Sequence, residues 1–154
     1  MEFLDGIISK IIFNQLIGVW NLERQITGCL GQGFLSGQSI FTKIDDTRLK
    51  CFETGQLILN GIQNEVNRTY IYEYHDDKII VYYDDPHRKG DILHELHFIK
   101  QADDYIANHC HICGYDSYDL SFTASADGNI KMTYAVKGPH KNYRMESQLT
   151  RSIF

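Results

Sequence analysis

Prolines are scarce in this chain of 154 residues, which has only two, and its single tryptophan stands beside ten tyrosines and eight phenylalanines. Few prolines together with many aromatic residues favour β-strands over a helical bundle. Hydrophobic residues make up 43% of the chain and charged residues 23%, which is ordinary for a globular protein large enough to bury a core. We therefore expect one mostly β domain over residues 1–154.

The sequence also lacks a cluster of basic residues, and its formal net charge at pH 7 is -5. Nucleic acid is not an expected partner, because contact with phosphates requires grouped lysine and arginine side chains. No hydrophobic run is long enough for a transmembrane helix, so no membrane partner is expected. Four unevenly spaced cysteines without an export signal predict free thiols and a cytoplasmic location.

The N-terminal segment, residues 1–16, is apolar but carries Glu2 and Asp5 where a secretion signal needs basic residues. Its apolar residues recur at helical spacing, namely Phe3, Ile7 and Ile11, and less regularly Leu4, Ile8 and Ile12. This spacing predicts a short amphipathic α-helix that packs on a core.

From Gly18 onward, apolar and polar residues alternate with the period of a β-strand, and turn residues such as Asn60-Gly61 separate the segments. Roughly ten strands in series over residues 17–154, with no helical pattern between them, fit an antiparallel up-and-down meander. A meander of this length usually closes into a barrel, because closure removes the exposed sheet edges. A two-sheet sandwich is the alternative.

Two features favour the barrel. The triplet Gly18-Val19-Trp20 opens the first strand after the helix, and Arg151 lies in the last strand. This arrangement resembles the lipocalin and calycin pattern, in which a Gly-x-Trp begins the barrel and an arginine of the last strand packs across the tryptophan. The resemblance implies that the Arg151 guanidinium lies within about 6 Å of the Trp20 ring.

A second resemblance extends over nearly the whole chain. It is carried by short spaced motifs: Gly18-x-Trp20-x-Leu22-x-Arg24, Leu49-x-Cys51-x-Glu53-x-Gly55-x-Leu57, Arg68-x-Tyr70, His94, His111-x-Cys113-x-x-Asp116-x-Tyr118, Val136-x-Gly138-Pro139-x-Lys141-x-Tyr143 and Arg151. They resemble the uncharacterised family known as domain of unknown function 6314, which implies a small calycin-like barrel with no assigned activity. The chain departs from the family pattern at Cys51 and Tyr134, where larger aromatic residues are expected, so its cavity is expected to have its own shape.

Alternate residues of a strand share one face, so the face that carries Trp20 identifies the interior. The predicted ligand-binding residues are inward and polar: Arg24, Glu53, Arg68, Tyr70, His94, His111, Cys113, Tyr118, Lys141 and Tyr143, with Lys141 as a cap over the open mouth. A barrel filled only for stability would hold Val, Ile, Leu and Phe, and an unpaired buried polar group costs about 1–3 kcal/mol. Trp20 and Arg151 are assigned structural roles.

Arg24 and Arg68 permit two interpretations, which the sequence leaves open. They form an inward pair that binds an anionic ligand, or one of them pairs with Glu53 in a structural salt bridge. The charged loop Asp84–Gly90 is expected to be solvated. Solvation is also the alternative to the cap role for Lys141, because its position after a Gly-Pro turn suits a loop lysine.

The densest cluster of reactive side chains is the stretch HCHICGYDSY at residues 109–118. On an extended strand Cys110 and Cys113 point to opposite faces, so neither a structural zinc site nor a thioredoxin-type dithiol is expected. A three-histidine metal site remains an alternative, with His94, His109 and His111 as its members. Hydrogen-bonded pocket lining is the favoured interpretation of these histidines, and no metal or cofactor is predicted.

The sequence thus predicts a cytoplasmic β-barrel that binds a small, partly polar, anionic molecule in its interior. Two alternatives stay open. One is an enzyme that performs acid/base chemistry of a lyase or decarboxylase type in the same cavity, and the other is a structural or interaction module with a plugged barrel. A cavity larger than a few water molecules, open at one end, favours binding or catalysis.

Overall fold

The computed structural model describes residues 2–152, with side chains from Gly6 onward. One helix, α1 (Glu2–Leu16), precedes eleven strands: β1 (Gly18–Gly28), β2 (Gly33–Lys43), β3 (Arg48–Leu59), β4 (Ile62–His75), β5 (Lys78–Tyr83), β6 (Ile92–Leu96), β7 (Ile99–Gln101), β8 (Asp104–Cys113), β9 (Asp116–Ala124), β10 (Ile130–Lys137) and β11 (Asn142–Arg151). No helix in this described part is long and apolar enough to cross a membrane.

All strands belong to one antiparallel sheet in the order β6-β5-β4-β3-β2-β1-β11-β10-β9-β8-β7. Strands that follow each other in sequence are neighbours, except β6 and β7, and β1 pairs with β11. The sheet curls until its edge strand β6 contacts β8. The predicted calycin-like up-and-down barrel is confirmed, with eleven strands in place of roughly ten.

The line along which β6 meets β8, here called the seam, has no backbone hydrogen-bond ladder between residues 92–96 and 104–113. The short strand β7 covers only the first part of β8, from Asp104 to Ile106. Beyond it the wall is closed by side chains, among which His94 and His109 are hydrogen-bonded. The seam is therefore a place where side chains, rather than backbone, form the barrel wall.

The base of the barrel lies where β1 begins, beside α1. Trp20 is fully buried there, and its indole N–H donates to the Leu16 carbonyl at 2.9 Å. Arg151 is the cross-strand neighbour of Trp20, and its guanidinium carbon lies 3.9 Å from the centroid of the indole ring. The guanidinium also donates to the carbonyls of Gln15 and Ile17. The predicted contact between Trp20 and Arg151 is confirmed, and it ties α1 to the barrel.

Gly18 explains the first position of the Gly-x-Trp signature. Its φ of +126° is a conformation that residues with a side chain rarely adopt, and a Cβ added there would lie 2.7 Å from Arg151 Nη1. Glycine is required because it leaves room for the guanidinium to cross the base.

Helix α1 packs on the barrel through the less regular of the two predicted apolar sets, since Ile12 is buried and Ile8 packs against the core. Ile12, Phe13 and Leu16 are buried, whereas Ile7 and Ile11 are 42% and 45% exposed. The side chain of Phe3 lies outside the described residues. The hydrogen bond from the Trp20 indole to the Leu16 carbonyl fixes the end of the helix. Together with the burial of Leu16, it turns the Ile12–Leu16 side inward.

Apolar side chains fill the half of the barrel near its base. Buried members of this core include Trp20, Leu22, Phe41, Leu49, Leu96, Phe98, Phe122, Ile130 and Leu149. The opposite end, here called the rim, is formed by the β1–β2, β3–β4, β5–β6, β8–β9 and β10–β11 connections. Polar side chains that point inward can therefore gather only between this core and the rim.

Candidate functional site

A cavity of about 480 Å³ lies inside the barrel, bounded by side chains of the middle and rim regions. This volume lies within the range of small-molecule sites and far exceeds that of a few water molecules. Apolar side chains make up much of its wall: Ile26, Leu35, Leu57, Val66, Val81, Leu93, Leu96, Leu120, Met132 and Met145. The barrel is hollow in this half and not plugged.

Eight of the ten predicted ligand-binding residues line this cavity: Arg24, Glu53, Arg68, Tyr70, His94, Tyr118, Lys141 and Tyr143. His111 is not among the lining residues, and its ring centroid lies 6.0 Å from that of Tyr118. Cys113 is exposed. Cys113 was predicted to point inward. Strand β8 ends at this residue, at the rim, where strand alternation no longer separates an inside from an outside.

Arg24 and Glu53 form an ion pair in the cavity wall. Arg24 Nη2 lies 3.2 Å from Glu53 Oε2, and Arg24 Nε donates to Ser147 Oγ at 2.7 Å. The two charged side chains are only 17% and 12% exposed. Burial lowers the pKa of Arg24, but the carboxylate of Glu53 outweighs it and raises the pKa above its usual value. Of the two interpretations of Arg24, the salt bridge is the one that the structure shows.

Arg68 is the cross-strand neighbour of Glu53, yet it forms no ion pair with any acidic residue of the described chain. Its side chain lines the cavity, and the residue as a whole is exposed. The positive charges of Arg68 and Arg88 both oppose the burial that raises the pKa of Tyr83, which places them near the same phenol. Arg68 therefore brings a cationic group to the cavity that Glu53 does not neutralise.

Arg88, in the loop that was predicted to be solvated, has a 42% exposed side chain and also lines the cavity. Its guanidinium carbon lies 3.9 Å from the ring centroid of Tyr83, and Nη2 lies 2.8 Å from Asp85 Oδ2. The Asp85 carboxylate also accepts hydrogen bonds from the backbone N–H groups of His87 and Arg88, which folds the loop back over the rim. No spacing in the sequence indicates this folded loop.

Lys141 lies in the β10–β11 connection at the rim and lines the cavity. Its Nζ donates to Tyr118 Oη at 2.7 Å and lies 3.1 Å from Asp116 Oδ2. These two partners raise the pKa of Lys141, so the ammonium group stays charged. Gly138 contacts the Asp116 carboxylate so closely that a Cβ added to it would lie 2.0 Å from Oδ1. The Gly138-Pro139-x-Lys141 motif thus places a lysine and its counter-ion at the rim.

The lining of the cavity is cationic although the chain as a whole is acidic. Among the described residues that line it, four carry a positive charge and one a negative charge, whereas the whole chain has a net charge of -5. The positive members are Arg24, Arg68, Arg88 and Lys141. Charges that line a low-dielectric recess act more strongly than charges on a flat surface.

A row of three hydrogen-bonded side chains meets the cavity at the seam. Tyr134 Oη lies 2.7 Å from His94 Nε2, and His94 Nδ1 lies 2.9 Å from His109 Nδ1. Burial lowers the pKa of His94 to about 3, and the neighbouring His109 and His111 contribute in the same direction. His94 is therefore a neutral imidazole at pH 7. Tyr134 was not among the predicted ligand-binding residues, although its parity with Met132 would have indicated an inward position.

The three histidines do not form a metal site in this arrangement. His94 uses both ring nitrogens for hydrogen bonds. Within the described residues, no three histidine, cysteine or acidic side chains converge as metal ligands. Of the three histidines, His94 lines the cavity and is hydrogen-bonded to His109 and Tyr134, whereas His109 and His111 are not among the lining residues.

Known structures with the same fold were found by comparison. The S-type phycobiliprotein lyase CPES from Guillardia theta is similar with a TM-score of 0.61 and 12% identity, over 100% of this chain and 98% of that chain. The structure of EF1p2_mFAP2b bound to DFHBI is similar with a TM-score of 0.52 and 10% identity, over 94% of this chain and 99% of that chain. At such identities the likeness shows the barrel fold alone. No curated protein matches the sequence.

The family comparison covers most of the chain. A model described as a family of unknown function, DUF6314, matches residues 16–151, which span the barrel from the end of α1 to Arg151. The matched range includes Trp20 and Arg151 at the base and every cavity-lining residue. The chain belongs to the family of unknown function DUF6314.

Proposed function

We propose that this protein binds a small organic anion inside its barrel, with the charged group of the ligand at the rim and the apolar part in the cavity. The observation that carries the proposal is the charge of the lining, in which four basic side chains face one acidic one. An organic anion supplies both the missing negative charge and a body that fills apolar space.

The position of the anionic group follows from which cations are already neutralised. Arg24 is held by Glu53 at 3.2 Å, so the middle of the cavity has no free charge to offer. Arg88 and Lys141 have carboxylate partners on the loop side, and Arg68 has none in the described chain. A carboxylate, sulfonate or phosphate entering the mouth therefore meets Arg68 first, and guanidinium groups bind such oxyanions through paired hydrogen bonds.

The body of the ligand is expected to lie against Ile26, Leu57 and Val66, which line the cavity beside the rim cations. A volume of about 480 Å³ suits a molecule of one or two rings or a short chain. The neighbour described as bound to DFHBI indicates that a barrel of this shape is compatible with a small-molecule ligand. Carrier and enzyme share these requirements.

The proposal is tested with two fluorescent probes that share one skeleton. Anilinonaphthalene sulfonate is an aromatic anion, and N-phenylnaphthylamine is its counterpart without the sulfonate. We expect one molecule of the sulfonate to bind per chain, and to bind about tenfold more tightly than the neutral probe, which corresponds to one charge-assisted hydrogen bond.

Blocking the cavity provides the matched control. Val66→Trp adds bulk to a residue that lines the cavity, whereas Ile99→Trp adds it at a 58% exposed residue of β7 that does not line it. Val66→Trp should abolish binding of both probes and Ile99→Trp should leave it unchanged, with folding of each checked by circular dichroism. If folded Val66→Trp binds the sulfonate as tightly as the wild type, the ligand is not in the cavity and the proposal is wrong.

A further inference from the structure

Tyr134, His94 and His109 form a continuous row of hydrogen bonds that begins inside the cavity and leads through the barrel wall. Tyr134 and His94 line the cavity, whereas His109 does not. His94 is 1% exposed, and His109 is half-buried on the other side of the seam. The charges near His109 belong to Glu95, His111 and His97, and of these His97 is exposed. The row thus leads from the enclosed cavity to a partly exposed imidazole at the seam.

The seam is what allows this connection. In a continuous sheet the backbone ladder forms the wall, and side chains point either inward or outward. Between β6 and β8 the described backbone forms no such ladder, and the imidazoles of His94 and His109 bridge the gap directly. Their ring centroids lie 5.2 Å apart, with the planes at 88°. Two imidazoles therefore stand where a peptide ladder would otherwise separate the inside from solvent.

We propose that this row is a proton relay, which makes the cavity an acid–base site with Tyr134 as the catalytic residue that touches the substrate. The proposal rests on the proposed function, because the relay acts on a ligand held in the cavity. The substrate class follows from geometry. With its anionic group at the rim, a ligand presents its opposite end to Tyr134, and that end must carry an ionisable hydroxyl group, such as a phenol or an enol.

The proton transfer balances without any further reactant. The Tyr134 hydroxyl gives its proton to the oxyanion of the ligand, and the new O–H bond forms as the Tyr134 O–H bond breaks. His94 returns a proton from Nε2 to Tyr134 and takes one at Nδ1 from the His109 imidazolium. His109 ends neutral and regains a proton from water, which leaves hydroxide, and His94 ends as its Nδ1–H tautomer. The reverse sequence removes a proton from the ligand and restores the Nε2–H tautomer of His94. Tyr134 and His94 end each passage with the same number of protons as they began.

The groups around the row suit this role. A neutral imidazole accepts at one nitrogen and donates at the other, whereas an imidazolium can only donate. Burial of His94 and the nearby His109 and His111 of β8 keep it neutral, and the phenol of Tyr134 from β10 completes its surroundings. Burial also lowers the pKa of His109, the carboxylate of Glu95 opposes this, and His111 and His97 add to the lowering. His109 is less buried than His94, so it is the member of the row that exchanges protons with solvent.

The kinetic test uses a probe whose protonation is visible. The compound 4-hydroxy-3-nitrophenylacetate has a carboxylate for the rim and a phenol whose ionised form absorbs visible light. With the probe bound, a stopped-flow pH jump measures how fast its phenolate is protonated. We expect His94→Phe to slow this step by about tenfold or more with little change in probe affinity, and Tyr134→Phe to slow it and to raise the pKa of the bound phenol.

A matched control separates the relay from a general effect of losing a histidine. His75→Gln removes an exposed histidine of β4 that does not line the cavity and should leave the rate unchanged. If the bound phenolate is protonated equally fast in wild type and in folded His94→Phe, the relay is overturned while the binding proposal stands. If the wild type binds neither this probe nor the anilinonaphthalene probes, the binding proposal fails instead.

A second measurement tests the relay without any ligand. In protein with ¹⁵N-labelled histidine, the ring nitrogens report tautomer and protonation directly. We expect His94 to stay neutral between about pH 5 and 8, its Nδ1 signal to follow the titration of His109, and its Nε2 signal to shift in Tyr134→Phe. Protonation of His94 between about pH 5 and 8, or a spectrum of His94 that is unaffected by His109→Gln, contradicts the relay.

Discussion

Arg24 and Glu53 lie 3.2 Å apart in the cavity wall and neutralise each other, although they come from strands that are separated by β2. The pair occupies the middle of the hollow, between the apolar core and the rim. This pairing determines where in the cavity the free positive charge lies. Because the inner arginine is already paired, the uncompensated positive charge of the cavity lies at the rim, on Arg68.

Removal of one partner of this pair should destabilise the protein. Both side chains are less than one-fifth exposed, so Arg24→Ala leaves Glu53 charged in a poorly hydrated place and should lower the free energy of unfolding by about 3 kcal/mol. The double variant Arg24→Met with Glu53→Leu should cost less than the sum of the two single changes. Chemical denaturation measures both. A loss below about 0.5 kcal/mol for Arg24→Ala would show that this pair is fully hydrated.

The base of the barrel gives a prediction about coupling. Gly18→Ala places a Cβ 2.7 Å from Arg151 Nη1 at a φ of +126°, and should cost about 3 kcal/mol in free energy of unfolding. Gly128→Ala is the control for the conformation alone, since its φ is +89° and a Cβ there meets nothing within 4 Å. In an Arg151→Ala background the cost of Gly18→Ala should fall by about 1 kcal/mol. Equal costs in both backgrounds would contradict the contact.

Arg68 should contribute to the affinity for an anionic ligand but not to the stability of the fold. Arg68→Ala removes a cation that has no acidic partner in the described chain, so it should weaken binding of anilinonaphthalene sulfonate about tenfold and leave the melting temperature nearly unchanged. Lys50→Ala removes the same charge from an exposed position of β3 and should change neither quantity. Fluorescence titration measures the affinity, and thermal denaturation measures the melting temperature. Equal losses of affinity in the two variants would indicate a general effect of net charge.

His94 should make stability depend on pH. Its pKa falls from an ordinary value of 6.5 to about 3 in the folded protein, because the neutral form is buried. The unfolded chain therefore binds a proton first as the pH falls, and stability is lost between these two values. From about pH 7 to about pH 5 this residue should remove about 2 kcal/mol of unfolding free energy. The decline should be smaller by that amount in His94→Phe, and parallel curves for the two proteins would contradict the buried neutral imidazole.

The architecture was largely predictable because β-strands carry their own period. Alternation from Gly18 onward indicated a meander, and the Gly18-x-Trp20 and Arg151 features indicated how it closes. The same alternation placed Arg24, Glu53 and Tyr70 on the inner face, where they are found. Parity needs only the residue number and the strand, so it succeeds wherever a strand is regular.

The site was less predictable. Strand parity tells which face of the sheet a side chain is on, but not how high it lies in the barrel or which residue it contacts. Which arginine meets Glu53 depends on how the strands tilt around the barrel, and the sequence left Arg24 and Arg68 as equal candidates. The contact between His94 and Tyr134 joins residues 40 positions apart, and the partner His109 reaches His94 only because the sheet closes there by side chains. Arg88 depends on a folded loop, which has no period.

The most direct test of the binding proposal is a crystal structure of the complex with anilinonaphthalene sulfonate. We expect the aromatic rings inside the barrel against Leu57 and Val66, and the sulfonate within hydrogen-bond distance of the Arg68 guanidinium. An apolar patch outside the cavity, which includes the exposed side chains of Phe34 and Ile58, offers a competing place for the probe. A probe bound only on that outer patch, with an empty cavity, would contradict the proposal that this barrel binds organic anions in its interior.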